Sequence, residues 1–525
     1  MSKYSFIFVT VFYFVVFLLL SFVYCKHALH MFQQNRYELY RYSKWLFNKN
    51  NLKIYPGFIY AIVVISLCTL FKRHGDLLAL LVTIAFSIYL FDRENKKTYI
   101  KDLVLTPRVK RQIVVMFILM LLLIKLAMNL FKADIIGVLC IIMPYLFIYL
   151  LALITYPVEY LIKKYYENQA RTILKNNDKV LKIGITGSYG KTSTKNIIND
   201  IISEDKFTLI TPASYNTPMG ITRTIRGMLK PIHEVFVCEM GADKVGEISY
   251  LMDFVKPQYG VVTSIGPQHL NTFKSLDNII NEKMQEIEML PSDGIGFINI
   301  DNEYIRNYKI NNTCKIVTVG IDSEDADYHA KDISYSKTGS KFTVNIDEKD
   351  YKFTTDLLGK HNICNILFGI AIAIEMGIDI KKIVKNVKNV KQVEHRLQVK
   401  KINEYTFIDD AFNSNPVGSK MALDVLSMMS GKRIIVTPGM IDLGEKQEEI
   451  NKEFGRYMLD KVDYVLLIGE KQSKPIYDGL VEVGFDLSKV IVFDNVKQAF
   501  DYVYHNFSTK DTILLENDLP DAFNV

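Results

Sequence analysis

The sequence predicts an N-terminal α-helical transmembrane region followed by two α/β domains, the first with a mostly parallel sheet and the second Rossmann-like. Three observations support this fold class. Five long apolar runs precede residue 157. From Lys179 onward, short β-branched runs alternate with helical stretches, as in βα repeats. A turn-rich segment then interrupts the alternation, which restarts near residue 390 and indicates a second domain. A length of 525 residues is too great for one compact core.

Composition and charge exclude several classes of protein. The chain is 49% hydrophobic, with a mild formal net charge of +6. It has no Lys/Arg-rich block of the kind that binds nucleic acid, so a nucleic-acid partner is not expected. The six cysteines are scattered without a CxxC pair, which favours a reducing compartment and argues against a disulfide framework or a cysteine metal site.

The apolar runs are long enough to cross a bilayer. Any one of them could be a buried core helix, and the third is short for a span. Their succession within the first 156 residues predicts about five transmembrane spans. The runs are Ser5–Tyr24, Ile54–Phe71, Leu77–Phe91, Gln112–Phe131 and Ile135–Tyr156.

The loops between these runs predict an orientation. Lys and Arg are concentrated in the loops after the first and third runs, and the positive-inside rule assigns these loops to the cytoplasm. The N-terminus is then outside, and everything after Tyr156 is cytoplasmic. Lys125 lies inside the fourth run, where the alternatives are a functional role, snorkelling to the interface and contact with a neighbouring helix.

The part after the apolar runs divides into a linker and two domains. Ten runs are predicted strands, and an antiparallel insert is predicted between Tyr328 and Thr355. The predicted strands are Val180–Thr186, Val235–Glu239, Tyr259–Ser264, Gly296–Ile300 and Cys314–Val319, then Tyr405–Asp409, Arg433–Thr437, Tyr464–Ile468, Val490–Phe493 and Thr512–Leu515. The predicted division is 1–156 for the transmembrane region, 157–178 for a linker helix, 179–392 for the central domain and 393–525 for the C-terminal domain.

The strongest chemical signal is the glycine-rich segment Gly184–Thr194 (GITGSYGKTST), between a predicted strand and a predicted helix. Glycines let the backbone wrap a phosphate, and the helix N-terminus offers free N–H groups to it. A lysine at 191 can reach the β- and γ-phosphates, and a threonine at 192 can bind Mg²⁺. The alternative is an ordinary tight strand–helix turn, because Ile185 stands where the strict P-loop spacing has glycine. The residues predicted to bind ATP in this segment are Gly187, Ser188, Gly190, Lys191, Thr192 and Ser193.

The variant glycine spacing resembles the ATP loop of the Mur ligases, which build the peptide of bacterial cell-wall precursors. The resemblance continues in order along the chain, over roughly Lys179 to Gly444. One segment closely resembles the family member that adds D-alanyl-D-alanine. The segments that carry the resemblance are Tyr215–Gly220 (YNTPMG), Glu239–Ile248 (EMGADKVGEI), Ile265–Phe273 (IGPQHLNTF), Gly359–Asn365 (GKHNICN), Glu394–Leu397 (EHRL) and Asp409–Pro416 (DDAFNSNP).

The resemblance implies an ATP-dependent amide ligase with ATP and Mg²⁺ as cofactors. Such an enzyme activates a carboxylate as an acyl phosphate, and catalysis rests on positioning and charge neutralisation. The implied partners are a cell-envelope precursor that carries the carboxylate and an amino acid or dipeptide that supplies the amine. Together with the apolar runs and the Lys/Arg loops, the resemblance predicts a location at the bacterial inner membrane, with several spans, contact with membrane lipid and cytoplasmic catalytic domains.

Four residues are implied as metal ligands. Glu239 and Thr192 would hold the first Mg²⁺, and His269 would help to hold a second. Lys283 falls where the family carries a carbamylated lysine, a carboxylate-like metal ligand. The alternatives are a surface Glu239 that caps the next helix, a structural His269 and a solvated helix face around Lys283.

Four further residues, and a fifth as a weaker candidate, are implied around the nucleotide. Asn216 and Asn365 resemble the asparagines that face ATP, with Asn362 as a weaker candidate. Arg396 would approach the phosphates when the C-terminal domain closes, and Asp410 would accept a hydrogen bond from the ribose. The alternatives are a surface linker charge for Arg396 and a turn residue for Asp410.

Two departures from the family leave the substrate open. Apolar runs replace the domain that grips a UDP-sugar in ordinary Mur ligases. Leu514–Pro520 (LLENDLP) stands where the D-alanyl-D-alanine-adding enzymes tend to carry Lys-Gly-Ser. A membrane-bound polyglutamate-type synthetase is therefore an alternative within the same chemistry. Alternatives of another class are an ATP-dependent transporter component, although no Leu-Ser-Gly-Gly signature is present, and a non-catalytic ATP-binding scaffold.

Overall fold

The computed structural model describes residues 3–48, 102–130, 133–336, 338–411, 415–441 and 446–517, together with the single residues 82, 85, 86, 88, 89, 92 and 443. The chain divides into two compact units. One contains the residues up to Lys164, and the other runs from Tyr165 to Asp518.

The described part of the first unit is helical. Three of the five predicted spans fall on helices: Ser5–Tyr24 on the first, Gln112–Phe131 on the third except for Phe131, and Ile135–Tyr156 on the fourth. The predicted span Ile54–Phe71 and most of Leu77–Phe91 lie outside the described residues. The helices are α1 (Lys3–Gln34), α2 (Leu39–Leu46), α3 (Pro107–Leu130) and α4 (Ala133–Asn176).

Within the described residues, one helical stretch is long and apolar enough to cross a membrane. It is Leu139–Asn176 on α4, with a mean hydropathy of 2.2 in its most apolar window, 39% of which is buried. Helix α4 continues through Pro144 and Pro157 to Asn176. The predicted fifth span and the predicted linker helix 157–178 are therefore parts of a single helix as far as Asn176.

Polar contacts join the helices of the first unit. The hydroxyl of Tyr145 lies 2.9 Å from Nδ1 of His27, in a buried aromatic cluster with Trp45. Arg111 on α3 donates two hydrogen bonds to Glu159 on α4, at 2.8 and 2.9 Å. Lys125 on α3 is exposed.

The second unit begins with a nine-stranded sheet in the order β2-β3-β1-β4-β5-β6-β7-β8-β9. The strands from β2 to β7 pair in parallel, and β8 and β9 complete the predicted antiparallel insert. The strands are β1 (Leu181–Thr186), β2 (Thr208–Ile210), β3 (Val235–Glu239), β4 (Tyr259–Val262), β5 (Ile295–Asn299), β6 (Lys315–Gly320), β7 (Tyr328–Ser336), β8 (Gly339–Ile346) and β9 (Lys349–Thr355). The helices are α5 (Lys191–Ile202), α6 (Pro218–Met228), α7 (Glu247–Val255), α8 (Leu270–Phe273), α9 (Leu276–Glu288), α10 (Glu303–Arg306), α11 (Lys360–Glu375) and α12 (Ile380–Lys388).

A six-stranded sheet follows, in the order β10-β11-β15-β12-β13-β14, with only β10 antiparallel to its neighbour. The strands are β10 (Gln398–Ile402), β11 (Tyr405–Asp410), β12 (Arg433–Thr437), β13 (Tyr464–Ile468), β14 (Val490–Phe493) and β15 (Thr512–Glu516). The helices are α13 (Pro416–Ser427), α14 (Gln447–Tyr457), α15 (Glu470–Glu482) and α16 (Val496–Asn506), with a 3₁₀ turn at Leu487–Lys489. The prediction of two α/β domains with mostly parallel sheets is confirmed.

Helices cover both faces of the first sheet, as a parallel sheet with apolar strands requires. Helices α5 and α11 pack on one face with Ile183 and Phe368 in the core. Helices α7 and α9 pack on the other face with Phe236 and Met284. The carboxyl ends of β1, β3 and β4 therefore meet at one edge, where ligands bind in open α/β sheets.

Candidate active site

The glycine-rich loop connects β1 to α5 at this edge of the sheet. Gly187 and Gly190 have φ angles of +146° and +83°, in the left-handed region that side chains disfavour. A Cβ on Gly187 would lie 2.2 Å from the hydroxyl oxygen of Thr263. The loop therefore needs glycine at this position, and it leaves the N-terminal N–H groups of α5, including that of Ser193, available to an anion.

The segment after β4 supports the loop. The amide of Ser188 donates to the carbonyl of Ser264 at 2.7 Å, and its hydroxyl donates to the carbonyl of Gly266 at 3.0 Å. The hydroxyl of Tyr189 donates to the carbonyl of Pro267 at 3.0 Å. Two of the segments that resemble the Mur ligases are thus joined by hydrogen bonds.

The ammonium of Lys191 folds back over the loop. It donates to the carbonyls of Gly187 and Ser188, at 2.6 and 3.2 Å. Burial lowers the pKa of Lys191, although the nearby Glu239 carboxylate opposes this shift. A bound phosphate would supply a stronger anionic partner for this ammonium than the two carbonyls do.

Glu239, at the end of β3, is the centre of a buried polar cluster. One of its carboxylate oxygens accepts from the hydroxyl of Thr192 at 3.1 Å and from the ammonium of Lys195 at 3.2 Å. The other oxygen accepts from the side-chain amide of Asn216 at 3.0 Å. Glu239 is 1% exposed, so the alternative of a surface glutamate is wrong. Asn216 contacts Glu239 directly.

Asn365, on α11, faces the glycine-rich loop. Its side-chain oxygen accepts from the hydroxyl of Thr194 at 2.9 Å. Its side-chain nitrogen is buried and has no hydrogen-bond partner among the residues that the structure describes. An orphaned amide donor beside Gly190 fits a nucleotide, which carries many acceptor oxygens. Asn362 instead donates to the carbonyl of Leu358 at 2.8 Å, one turn earlier.

The donors around Glu239 also fit a magnesium ion. A carboxylate and a threonine hydroxyl are hard oxygen ligands, and they lie beside the loop that would hold the phosphates. No group of three or more His, Cys, Asp or Glu side chains arranged for a metal exists among the described residues. Such a sparse protein donor set suits Mg²⁺, which keeps waters and substrate oxygens in its shell.

His269 lies at the start of the short helix α8 and is half-buried. Its Nε2 atom is 3.2 Å from a carboxylate oxygen of Asp243. The hydroxyl of Thr272 donates to the carbonyl of Asp243 at 2.5 Å, which fixes the two loops against each other. His269 therefore has a carboxylate partner that orients its ring, as metal-binding histidines usually do.

Lys283, on α9, is almost completely buried. Its ammonium donates to the carbonyl of Ala242 at 3.2 Å, and burial together with the Lys191 cation lowers its pKa to about 7. Glu282 accepts from the backbone amides of Gly246 and Ile248, at 2.7 and 2.6 Å. The alternative of a solvated helix face is therefore wrong for these charges, and a large neutral fraction makes the Lys283 amine competent to react with CO₂.

Arg396 links the second sheet to the cluster. Its cation lies near Glu239, Asp410 and Glu516, and burial lowers its pKa. Burial raises the pKa of Asp410 to about 6 against the opposing effect of Arg396. One Asp410 oxygen accepts from the backbone amide of Leu397 at 3.1 Å. Arg396 is therefore buried near three carboxylates and is not a surface linker charge. Asp410 is a turn residue, since it accepts from a turn amide, and it also lies near the Arg396 cation.

Sequence reasoning missed three residues of this region. Lys195 follows Lys191 by one helical turn, and this spacing was the available signal. Asp243 lies inside a motif that had been noticed for Glu239 alone. Glu286, one turn after Lys283, is fully buried, and in the described part of the chain neither of its oxygens has a hydrogen-bond partner. Burial raises its pKa to about 8.

Two family models match the second unit. The model described as Mur ligase middle domain matches residues 185–373. The model described as Mur ligase, glutamate ligase domain matches residues 395–516. All of the candidate site residues from Gly187 to Asp410 lie within these two matches.

Two relatives, both named UDP-N-acetylmuramoyl-tripeptide--D-alanyl-D-alanine ligase, are similar to this chain. The Bacillus subtilis protein is 30% identical over 338 residues, which cover 64% of this chain and 72% of the relative. The Escherichia coli protein is 29% identical over 297 residues, which cover 56% of this chain and 65% of the relative.

Solved structures share the fold. MurF from Acinetobacter baumannii superposes with a TM-score of 0.60 at 22% identity, covering 68% of this chain and 77% of that one. MurF from Thermotoga maritima, solved in complex with ADP, gives a TM-score of 0.61 at 22% identity, covering 69% and 81%.

Proposed function

Because the chain belongs to the Mur ligase family, whose members are ATP-dependent and release ADP, we propose that it joins the carboxylate of a cell-envelope precursor to the amine of an amino acid or dipeptide. One observation carries this proposal. Thr192, Lys195 and Asn216 converge on Glu239 beside a loop with the glycines and the lysine that phosphate binding needs.

The phosphate loop and Lys191 would bind the β- and γ-phosphates of ATP. For this, the Lys191 ammonium exchanges its two carbonyl partners for phosphate oxygens. The Asn365 side-chain nitrogen is a further donor beside Gly190. Asp410 is proposed to accept a hydrogen bond from the ribose. These groups position the nucleotide, which supplies most of the catalysis in phosphoryl transfer.

Thr192 and Glu239 would hold the first Mg²⁺, which when bound neutralises charge on the phosphates. Lys195 and Asn216 fix the Glu239 carboxylate in place, so that it needs little reorganisation. His269 and Lys283 are proposed as ligands of a second Mg²⁺. Lys283 would serve as a carbamate, because an ammonium has no lone pair to donate and Mg²⁺ prefers oxygen ligands to the nitrogen of a neutral amine.

The reaction then proceeds in two steps. An oxygen of the precursor carboxylate attacks the γ-phosphorus of ATP, which forms an acyl phosphate and releases ADP. The amine attacks the acyl carbon, the C–O bond to phosphate breaks, and the amine loses its proton. Arg396 provides positive charge near Glu239, where the transferred phosphoryl group would lie. Closure around the acyl phosphate would exclude water.

We propose the substrates from the names of the relatives and from a segment in which this chain differs from the D-alanyl-D-alanine-adding enzymes. The names of the relatives specify a UDP-N-acetylmuramoyl-tripeptide and D-alanyl-D-alanine, so a peptide carboxylate on an envelope precursor is the proposed acceptor. At the end of β15 this chain has Glu516, which is buried and accepts from the hydroxyl of Ser419 at 2.7 Å. Glu516 lies in the segment where the D-alanyl-D-alanine-adding enzymes tend to carry Lys-Gly-Ser. The identity of the amine substrate is therefore left open. The second candidate function, within the same ligase chemistry, is that of a polyglutamate-type synthetase.

The proposed location is the inner membrane, with about five spans and cytoplasmic catalytic domains. The Lys/Arg asymmetry of the loops supports the orientation. The apolar stretch of α4 supports the anchoring. The division into a transmembrane region (1–156), a linker (157–178), a central domain (179–392) and a C-terminal domain (393–525) is part of the same proposal.

The experiment is an ADP-release screen with the purified full chain. ATP is combined with UDP-linked or lipid-linked peptide acceptors and with single amino acids or dipeptides, and products are identified by mass spectrometry. ADP release should require an acceptor and an amine together, and an amide should form. A ladder of products from glutamate alone would favour the polyglutamate-type alternative. If the rate of ADP release does not depend on any added amine and no amide forms, the proposal is refuted.

A further inference from the structure

A surface groove lies between α4 and α6, away from the phosphate loop. Its volume is about 520 Å³, and it is lined by Tyr165, Asn168, Gln169, Thr172, Ile173 and Arg226. The α4 wall lies outside the family match, which begins at residue 185. No part of the mechanism above uses this groove.

The polar side of the groove carries the positive charge of Arg226, which could bind an anion. The Arg226 guanidinium stacks on the ring of Tyr166, 4.0 Å from its centroid, and makes no ion pair with any residue that the structure describes. Two acidic side chains that contact or belong to the same part of α4 have partners of their own: Glu167 accepts from the hydroxyl of Tyr250 at 2.7 Å, and Asp253 pairs with Arg171 at 2.8 Å. The charge of Arg226 is therefore not compensated by these carboxylates.

Exposed apolar side chains lie in the groove and along the chain just after Arg226. Tyr165, which lines the groove, is 60% exposed. Met228, at the end of α6, is 44% exposed, and Ile232 in the following loop is 58% exposed. Exposed aromatic and aliphatic side chains together with an arginine are typical of a surface at the headgroup level of a bilayer.

The wall formed by α4 also continues into the apolar stretch that begins at Leu139. Exposed tyrosines and lysines mark the helix between the two, at Tyr156, Tyr160, Lys163 and Lys164. Aromatic and basic residues of this kind flank spans at the membrane–water interface. Along α4, the residues that line the groove therefore come directly after a stretch with the composition of a membrane–water interface.

We propose that the groove binds the phosphate-bearing headgroup of an anionic membrane phospholipid, with Arg226 as the contact to the phosphate and Tyr165 and Ile173 against the glycerol and first acyl carbons. Asn168 and Gln169 supply amides for the ester and glycerol oxygens. The inference rests on the proposed membrane location. Lipid binding here would hold the phosphate-loop domain at the bilayer surface.

The test uses the full chain in phosphatidylcholine vesicles that contain a minor fraction of photoactivatable phosphatidylglycerol. After illumination, the labelled peptides are mapped by mass spectrometry. Label is expected on residues 165–173 and 226–232. Arg226→Glu should reduce this label about fivefold or more, the effect expected of one basic side chain at an anionic surface.

Arg223→Glu is the matched control. It makes the same charge change on the same helix, but Arg223 does not line the groove and donates to the hydroxyl of Tyr215 at 3.2 Å. This variant should keep the label. Equal labelling in Arg226→Glu and the parent chain would overturn the inference. The absence of label from the groove residues, for example because another segment of the chain covers them, would overturn it as well.

Two further arms separate the sources of failure. Excess soluble glycerol phosphate should leave the label unchanged, and its removal of the label would mean that the groove takes free anions and not membrane lipid. Vesicle flotation reports anchoring independently. A chain that floats with an unlabelled groove overturns this inference alone, whereas a chain that does not float overturns the proposed location as well.

Discussion

The ammonium of Lys195 lies 3.2 Å from a carboxylate oxygen of Glu239, and both side chains are 1% exposed. Lys195 also donates to the carbonyl of Ala213. Desolvation lowers the pKa of Lys195, and the Glu239 carboxylate opposes this shift. The pair therefore provides a fixed, buried carboxylate next to the phosphate loop.

Breaking this pair should destabilise the protein. Lys195→Met leaves the Glu239 carboxylate without its cation, and the loss of one partner of a buried pair costs about 3 to 5 kcal/mol. The free energy of unfolding in denaturant measures this effect. The double variant Lys195→Met with Glu239→Leu should regain much of the stability but no ligase activity. A Lys195→Met protein as stable as the parent would contradict the buried pairing.

Lys191→Ala should slow ATP turnover on the order of a thousandfold, because a cation that stabilises the transferred phosphoryl group is lost. ADP release under saturating substrates measures the change. Lys349→Ala, an exposed lysine on β9, is the control and should retain the parent rate. Parent-like turnover in Lys191→Ala would remove the assignment of the ATP site.

The carbamylation proposed for Lys283 should depend on pH. Reaction with CO₂ requires the neutral amine, and the pKa of about 7 makes this form dominant above pH 7 and scarce below it. In bicarbonate buffer, a carbamate signal in ¹³C NMR should therefore fade as the pH falls through 7. Lys283→Met should lack the signal at every pH. A signal that is equally strong at pH 6 and pH 8 would contradict a pKa near 7.

Glu286 should make stability depend on pH in the opposite sense to an ordinary carboxylate. Its pKa rises from 4.5 to about 8 on folding, so the folded state binds the extra proton between these values. Its contribution is fully present below 4.5 and is lost as the pH rises through 8. Between pH 5.5 and 8.5 the parent should lose on the order of 3 kcal/mol relative to Glu286→Gln.

The control for Glu286 is Gly184→Ala. A Cβ on Gly184 would lie 1.9 Å from a Glu286 oxygen, so this variant should be destabilised, and the Glu286→Ala background should relieve part of that loss. Unfolding midpoints at the two pH values give all of these quantities. A parent whose stability relative to Glu286→Gln is independent of pH would show that the carboxyl is not buried as described.

The sequence patterns predicted most strands because β-branched runs bounded by turns are a local signal. They missed β2, which has only three residues, and β10, where Lys400 and Lys401 obscure the pattern. They also ended the last apolar segment at Tyr156, since apolarity falls there. Helix α4 nevertheless continues through Pro157 to Asn176, because Ala170 and Leu174 pack into the core of the second unit.

The site was predictable where residues and motif coincide in sequence, as for Lys191, Thr192 and Glu239. Lys195 and Glu286 were not predictable in the same way, because a charged residue on a helix ordinarily faces solvent. Their burial results from tertiary packing: α5 lies under α11, and α9 packs against β4 and α7. No local pattern contains that information.

The reaction should pass through an acyl phosphate and release ADP and phosphate, not AMP and pyrophosphate. The reason is the position of the charges, since Lys191 and the loop amides would hold the β- and γ-phosphates and Arg396 lies near Glu239. An acceptor labelled with ¹⁸O in its carboxylate tests this. When the amine displaces phosphate, one carboxylate oxygen leaves with phosphorus, so the label should appear in inorganic phosphate and the other oxygen should remain in the amide. Label in AMP would mean that the α-phosphate is attacked, and the arrangement of Lys191, Thr192 and Glu239 would then require another explanation.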